Sequence, residues 1–185
     1  MSSVASSPLT AEEFAQRPKP PDGSKEELVR GVVITMPPPG FDHGACQMRV
    51  GGLLDQHARP RRLGRVTMES GLITEQGPDT VRGPDVAYWS AERLPFDQRP
   101  RGYPAVAADL CVEILSPSDR AVDIAEKVRE YLERGVRLVW VIDPEDRTVT
   151  IHAPNQEPRV LADTATLTGG DVLPEFQVLV ADLFD

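Results

Sequence analysis

The feature that most limits the fold is the run Asp109-Leu-Cys-Val-Glu-Ile-Leu115, apolar from Leu110 onward except at Glu113. A run this short and this apolar reads as a strand buried on both faces, and both faces then need a cover. The cover follows at once. Ser118–Arg134 carries the periodicity of an amphipathic helix, opened by Ser-Pro-Ser-Asp and stopped by Gly135. Val136–Ile142 (VRLVWVI) is a second buried strand. Strand, helix and strand in this order predict a right-handed crossover between parallel neighbours. Arg147–Ala153 returns across the turn Asp143-Pro-Glu-Asp146 as an antiparallel partner. The sheet is then mixed, and the fold class is α/β (α+β).

The remaining segments are shorter. Residues 1–24, with Pro8, Pro18, Pro20 and Pro21, read as an N-terminal arm able to carry a short helix from Thr10, where Thr-Ala-Glu-Glu fits a capping box. Residues 25–185 form a single domain in this reading. Glu27–Met36 predicts two short strands hinged near Gly31 and closed by Pro37-Pro38-Pro39. His43–His57 predicts a helix with Cys46, Val50, Leu53 and Leu54 on one face, ended by Pro60. Gly64–Thr74 is β-prone, with Gly71 as a bulge. Val86–Trp89 predicts a strand opened by Gly83-Pro84-Asp85, followed by a loop with Pro95, Pro100 and Pro104. Val160–Ala162 and Phe176–Phe184 are the last apolar pieces.

Composition removes several classes of function. A chain of 185 residues is of single-domain size and buries roughly 70% of its unfolded surface without staples. No apolar run approaches the ~20 residues of a membrane helix. Met1–Gln16 has neither the basic start nor the apolar core of a secretory signal. Cys46 and Cys111 stand far apart and outside any Cys/His cluster, which sets aside a disulfide scaffold and a structural zinc. A cytoplasmic protein with no membrane partner is the expectation. The formal net charge of −9 disfavours coating of nucleic acid by bulk charge. That charge is uneven: Gln56–Val66 holds Arg59, Arg61, Arg62 and Arg65 with no acid, while no Lys or Arg follows Arg159.

Glu113 is the residue that most invites a chemical reading, because a carboxylate inside a buried strand costs several kcal/mol unless it is paired or bound to a metal. Its ordinary alternative is a strand-end acid reaching solvent or an arginine. Asp85, just after Pro84, fits a turn before a strand, and it also fits a second acid opening a neighbouring strand. Two such carboxylates are what a hard Mg²⁺ ion takes, with water and phosphate oxygens completing its shell. Lys127 enters by arithmetic. Glu113 to Pro117 advances roughly 13 Å along a strand, and Ser118 to Lys127 returns roughly 13 Å along a helix. Periodicity alone supports a plainer role, since Asp119, Asp123 and Lys127 are spaced as a surface ion-pair ladder. Ser116 and Ser118 read as helix caps, His43 as a solvated histidine before one that edges a site, Asp143 as a turn residue, and Trp89 and Trp140 as core. The arginines at 59, 61, 62 and 65 fit either phosphate contacts or a solvated turn. No phosphate-cradling glycine loop, dinucleotide fingerprint or nucleophile elbow is present.

Gly83-Pro84-Asp85-Val86, Val112-Glu113-Ile114-Leu115-Ser116-Pro117-Ser118, Asp123 with Lys127 and Tyr131, and Gly135-Val136 with Trp140-Val141-Ile142-Asp143-Pro144 together resemble the putative restriction endonuclease family, a bacterial group of the PD-(D/E)XK nuclease superfamily. The likeness extends upstream through Glu27-Leu28, Gly31, Met36-Pro37-Pro38 and His43. It implies a restriction-endonuclease-like fold, a mixed central β-sheet flanked by helices, in a homodimer. It also implies roles: Asp85 and Glu113 as the metal-binding acids, Glu27 as an early acid completing the shell, and Lys127 as the catalytic lysine. Leu115 stands where the superfamily's usual lysine follows the second acid by two residues, and the resemblance implies that the lysine's function is displaced onto the following helix. Arg30 stands where the family has an acid, and no Ser precedes the prolines after Met36.

The expected function is a Mg²⁺-dependent endonuclease (Mn²⁺ as substitute) that hydrolyses DNA phosphodiester bonds; a nuclease acting on RNA or on single strands is a third reading that the site residues leave open. The alternative is a non-catalytic homodimeric protein that binds nucleic acid or metal and retains the nuclease fold.

Overall fold

The computed structural model describes residues 7–184; the first six residues of the expected arm lie outside the described residues. In chain order the elements are α1 (Ala11–Ala15), β1 (Lys25–Val29), β2 (Val32–Met36), α2 (Phe41–Ala58), β3 (Gly64–Met68), β4 (Leu72–Glu75), β5 (Thr80–Arg82), β6 (Val86–Ser90), β7 (Leu110–Ile114), α3 (Ala121–Arg134), β8 (Leu138–Asp143), β9 (Thr148–His152), β10 (Arg159–Ala162), β11 (Thr166–Gly169) and β12 (Leu173–Leu179), closed by a 3-10 turn at Val180–Leu183. Among the described residues no helix is long and apolar enough to cross a membrane.

The central sheet has the order β10-β9-β8-β7-β6-β3. Strands β7 and β8 are parallel neighbours, joined by α3, and the other pairings are antiparallel. The expected α+β class, a mixed central sheet with helices, is therefore what the chain forms. The strand period of two assigns the layers. Val86, Tyr88, Leu110, Val112, Ile114, Trp140 and Ile142 point to one face and pack with Cys46, Val50 and Leu54 of α2. Ala87, Trp89, Cys111, Val139 and Val141 point to the other and pack with Val128 and Tyr131 of α3. Both faces of β6, β7 and β8 are thus covered, which is why the runs around Val112 and Val139 carry almost no polar residues. Glu113 shares its side with Cys111 and so faces α3.

A second sheet, ordered β2-β1-β5-β4, flanks the first. The β1–β2 hairpin turns at Arg30 and Gly31, both with positive φ. Its strand β5 escapes sequence reading, since three residues between Gly77-Pro78 and Gly83-Pro84 are too few to show alternation. The expected continuous strand at Gly64–Thr74 is two strands in different sheets, and Gly71 is not a bulge. A Cβ at Gly71 would lie 2.2 Å from Tyr103 Cε1, so glycine is there to admit the tyrosine ring as the chain crosses between sheets. The predicted start of the crossover helix is also corrected. Helix α3 begins at Ala121, with Arg120 as an N-cap that makes no side-chain bond. Ser116 instead closes a turn, donating its N–H to Asp119 Oδ2 at 2.7 Å, and neither serine caps the helix. Gly135 ends α3 at φ 98, as expected. At the N-terminal side the Thr10 capping box is formed, and Phe14 is buried with Leu28 and Val81.

The small sheet is tied to α3 by a buried fork. Arg82 Nε and Nη2 donate to the two oxygens of Glu130, each at 2.7 Å, and Nη1 reaches Glu27 Oε2 at 3.1 Å. Thr74 Oγ1 adds a bond to Glu130 Oε2 at 3.1 Å. Removing one member leaves a buried charge without its partner, so Arg82→Met should destabilise the fold by about 3–5 kcal/mol. The double variant Arg82→Met/Glu130→Leu should recover part of that loss, because the orphaned Glu130 charge leaves with its partner. Urea unfolding of the four proteins in this cycle checks it; a double variant no more stable than Arg82→Met would contradict it.

Candidate active site

Strands β6 and β7 pair with Val86 opposite Val112, and one further step places Asp85 opposite Glu113 at the end of the sheet. Directly opposed antiparallel residues have Cα atoms about 4.5–5.5 Å apart and share a face. Two acids thus meet where the sequence shows only a turn residue and an interrupted strand. Both are buried, at 4% and 3% exposure.

Each acid is held on several sides. Asp85 Oδ2 accepts the Ile114 N–H at 2.7 Å and lies 3.3 Å from His43 Nε2. Its Oδ1 is 2.9 Å from Lys25 Nζ, and its carbonyl accepts from Gln47 Nε2 at 2.9 Å. Glu113 Oε1 accepts from the Tyr131 hydroxyl at 2.6 Å, and Oε2 lies 2.9 Å from Lys127 Nζ. Lys127 also reaches Glu27 Oε1, at 3.2 Å, and that oxygen accepts the Gly83 N–H at 3.1 Å. The structure therefore joins Glu113, Lys127 and Glu27 in one connected network and sets Asp85 beside it, opposite Glu113 across the β6–β7 pair. Lys127 bridges the other two elements of that network, β1 and β7, from helix α3. The later start of α3 shortens the return path, and Lys127 still arrives opposite Glu113 because the turn at 115–120 and the long lysine stem make up the difference.

Burial opposes ionisation of Asp85, but the His43 hydrogen bond, the Lys25 ammonium and the Ile114 N–H hold its carboxyl well below the usual range. Glu27 is likewise lowered: Lys127, Lys25 and the Gly83 N–H outweigh its burial. Glu113 moves the other way, since burial and the neighbouring Asp85 push it up more than Lys127 and Lys25 pull it down. Lys127 is raised, its burial offset by Glu113 and Glu27. His43 is raised chiefly by its bond to Asp85. Asp85, Glu113, Glu27 and Glu130 thus face the cations Lys25, Lys127 and Arg82, with His43 against Asp85.

Sequence reading misses Lys25, Arg82, Glu130 and the part played by His43. The expectation of a solvated His43 is corrected, because its side chain is only 11% exposed and lies against Asp85. Lys25 was findable in principle, since it shares a strand face with Glu27 at i+2. Glu130 and Tyr131 stand one turn beyond Lys127 on the face that carries Val128, so a charged pair flanking an apolar stripe was the available signal. Trp89, Trp140 and the Asp143 turn are as expected: both rings are fully buried, and Asp143 Oδ1 accepts from the N–H groups of Glu145 and Asp146.

Among the described residues, no group of three or more His, Cys, Asp or Glu side chains is arranged to hold a metal ion. The donor set at Asp85 and Glu113 is two hard carboxylates, which fits an ion that takes one or two carboxylates and completes its shell with water and phosphate oxygens. It does not fit an all-protein cage.

The shifts carry a sign for stability in the metal-free protein. The Asp85 contribution is complete above its ordinary value of 3.8 and is withdrawn as pH falls towards the lower folded value. The His43 contribution is complete below 6.5 and is lost as pH rises through the higher folded value. The Asp85 and His43 contributions are therefore both complete between pH 3.8 and 6.5, and His43→Asn should flatten the alkaline decline. Chemical denaturation across pH checks this, and an alkaline limb unchanged in His43→Asn would contradict it.

Over residues 11–181 the sequence matches the Uma2 family, described as "Putative restriction endonuclease". The fold matches the crystal structure of a putative nuclease belonging to DUF820 from Anabaena variabilis, with a TM-score of 0.82, 26% identity, and coverage of 96% of this chain and 98% of that one. No curated protein matches the chain. With 11–181 matched, the chain belongs to the putative restriction endonuclease family.

Proposed function

We propose that this protein is a Mg²⁺-dependent endonuclease acting on DNA, with Asp85, Glu113, Glu27 and Lys127 as its working residues. The observation that carries the reading is the register that sets Asp85 opposite Glu113, with the Lys127 ammonium 2.9 Å from the second acid. Family membership and the named nuclease of like fold support a nucleic-acid substrate.

Asp85 and Glu113 would hold the ion, and Glu27 is both the anchor of Lys127 and the third candidate ligand. A bound Mg²⁺ or Mn²⁺ supplies Lewis acidity to the phosphate and acidifies bound water. The chain's own groups do the positioning. Tyr131 fixes the rotamer of Glu113 by donating to one oxygen, which leaves the other for Lys127. Gln47 and the Ile114 N–H fix Asp85 through its carbonyl and one carboxylate oxygen. Lys127, kept protonated by two acids, is placed to orient a water molecule and to donate to phosphate oxygen as charge develops there. Lys25, 2.9 Å from Asp85, is a second ammonium at the same mouth. The second reading, a non-catalytic binding protein, draws on the net charge of −9 and on the ammonium partner that Asp85 and Glu113 each already have.

Purified protein should nick plasmid DNA in Mg²⁺ or Mn²⁺, and Glu113→Gln and Lys127→Ala should each lower the rate by about 10²-fold or more. A plasmid left intact by the wild type under both ions would favour the binding protein, and nicking retained by both variants would remove the assignment.

A further inference from the structure

A second place gathers positive charge away from the buried acids. An open cavity of about 470 Å³ is lined by Arg62, Arg65, Phe96 and Arg99. The guanidinium carbons of Arg62 and Arg65 lie 5.0 and 5.3 Å from the centre of the Phe96 ring. Arg65 is further pinned by donating to the carbonyls of Gln98, at 2.8 Å, and Pro95, at 3.1 Å. Arg59, Arg82, Arg93 and Arg137 each hold a carboxylate, whereas among the described residues no ion pair neutralises Arg62, Arg65 or Arg99. Asp97, beside Phe96 in the chain, is exposed and makes no ion pair with them. Gathering guanidinium groups on one ring without a counter-charge costs repulsion, and in a chain of net charge −9 it cannot be put down to a general excess of arginine.

The sheet relates this cavity to the acids. Arg65 pairs opposite Trp89, on the same face of the sheet as Ala87 and, one repeat further, Asp85. Four residues of strand, about 13 Å along the backbone, separate Trp89 from Asp85, and this face of β6 is covered by the core, so a ligand reaching both places passes over the surface outside it. Guanidinium forks match phosphate geometry; Phe96 holds those of Arg62 and Arg65, and two backbone carbonyls further pin Arg65.

We infer that the Arg62–Arg65–Arg99 cavity seats a backbone phosphate of the DNA whose scissile phosphate lies at Asp85 and Glu113. The inference rests on the nuclease reading for its DNA ligand. The test is binding of a short fluorescent DNA duplex, followed by anisotropy in EDTA as salt is raised, which reads contact apart from chemistry. Arg62→Gln and Arg99→Gln are compared with Arg159→Gln, which removes the same charge from exposed strand β10 at the opposite edge of the sheet. The two cavity variants should each bind about tenfold more weakly and lower the log–log salt slope by about 0.9. Arg159→Gln should match the wild type. Equal losses in all three, unchanged binding in the cavity variants, or no binding by the wild type would each overturn the inference. Failure of the nuclease reading looks different: arginine-dependent binding persists while plasmid stays intact in Mg²⁺ and Mn²⁺.

Discussion

Asp85 and Glu113 face each other in a part of the sheet that water barely reaches, and much of the surrounding structure answers that one constraint. Two opposed carboxylates in such a place repel each other and each lose hydration, so neither is tolerable alone. The chain brings a cation to each from a different element. Lys25 arrives from β1, Lys127 from α3, and His43 from α2. Ile114 and Tyr131 then supply hydrogen bonds from the sheet and from α3. A site assembled this way depends on the whole fold, because no two of its cations come from neighbouring residues.

Helix α3 serves two purposes that share one surface. Val128 and Tyr131 cover the sheet, as the crossover between β7 and β8 requires. Lys127 and Glu130 flank that stripe and turn to the acids and to Arg82. The Arg82–Glu130 fork holds the small sheet against the helix, and Arg82 passes the constraint to Glu27 and so to Lys127. The small sheet is thus what brings Lys25 and Glu27 to the acids, and its attachment to α3 is electrostatic as well as apolar.

The sequence was legible where a local pattern coincided with the global fold. The buried strand pair, the amphipathic crossover and the β8–β9 hairpin all announce themselves by period and by turn chemistry. Glu113 was legible as a polar break in a buried run, and the strand and helix rises then led to Lys127. The family likeness added Glu27 and made Asp85 more than a turn residue. What stayed hidden depends on contacts between distant segments. Arg82 and Glu130 are separated by 48 residues, and nothing local marks them as partners. Lys25 sits beside a proline-rich stretch whose composition hides its strand. His43 looks like any polar residue near a helix start, and its meaning comes only from Asp85. The shift in the start of α3 has a simple cause: Ser-Pro-Ser-Asp satisfies itself as a turn before the helix begins.

On the proposed reading the two opposed acids are a metal-binding pair, and Lys25 and Lys127 stand in for the metal ion when none is bound. Anomalous diffraction from crystals soaked in Mn²⁺ tests it most directly. The account predicts a Mn²⁺ peak between Asp85 and Glu113, with the Lys25 ammonium withdrawn from Asp85. Crystals with Mn²⁺ bound elsewhere, or not at all, and with Lys25 and Lys127 still seated on the two carboxylates, would contradict it.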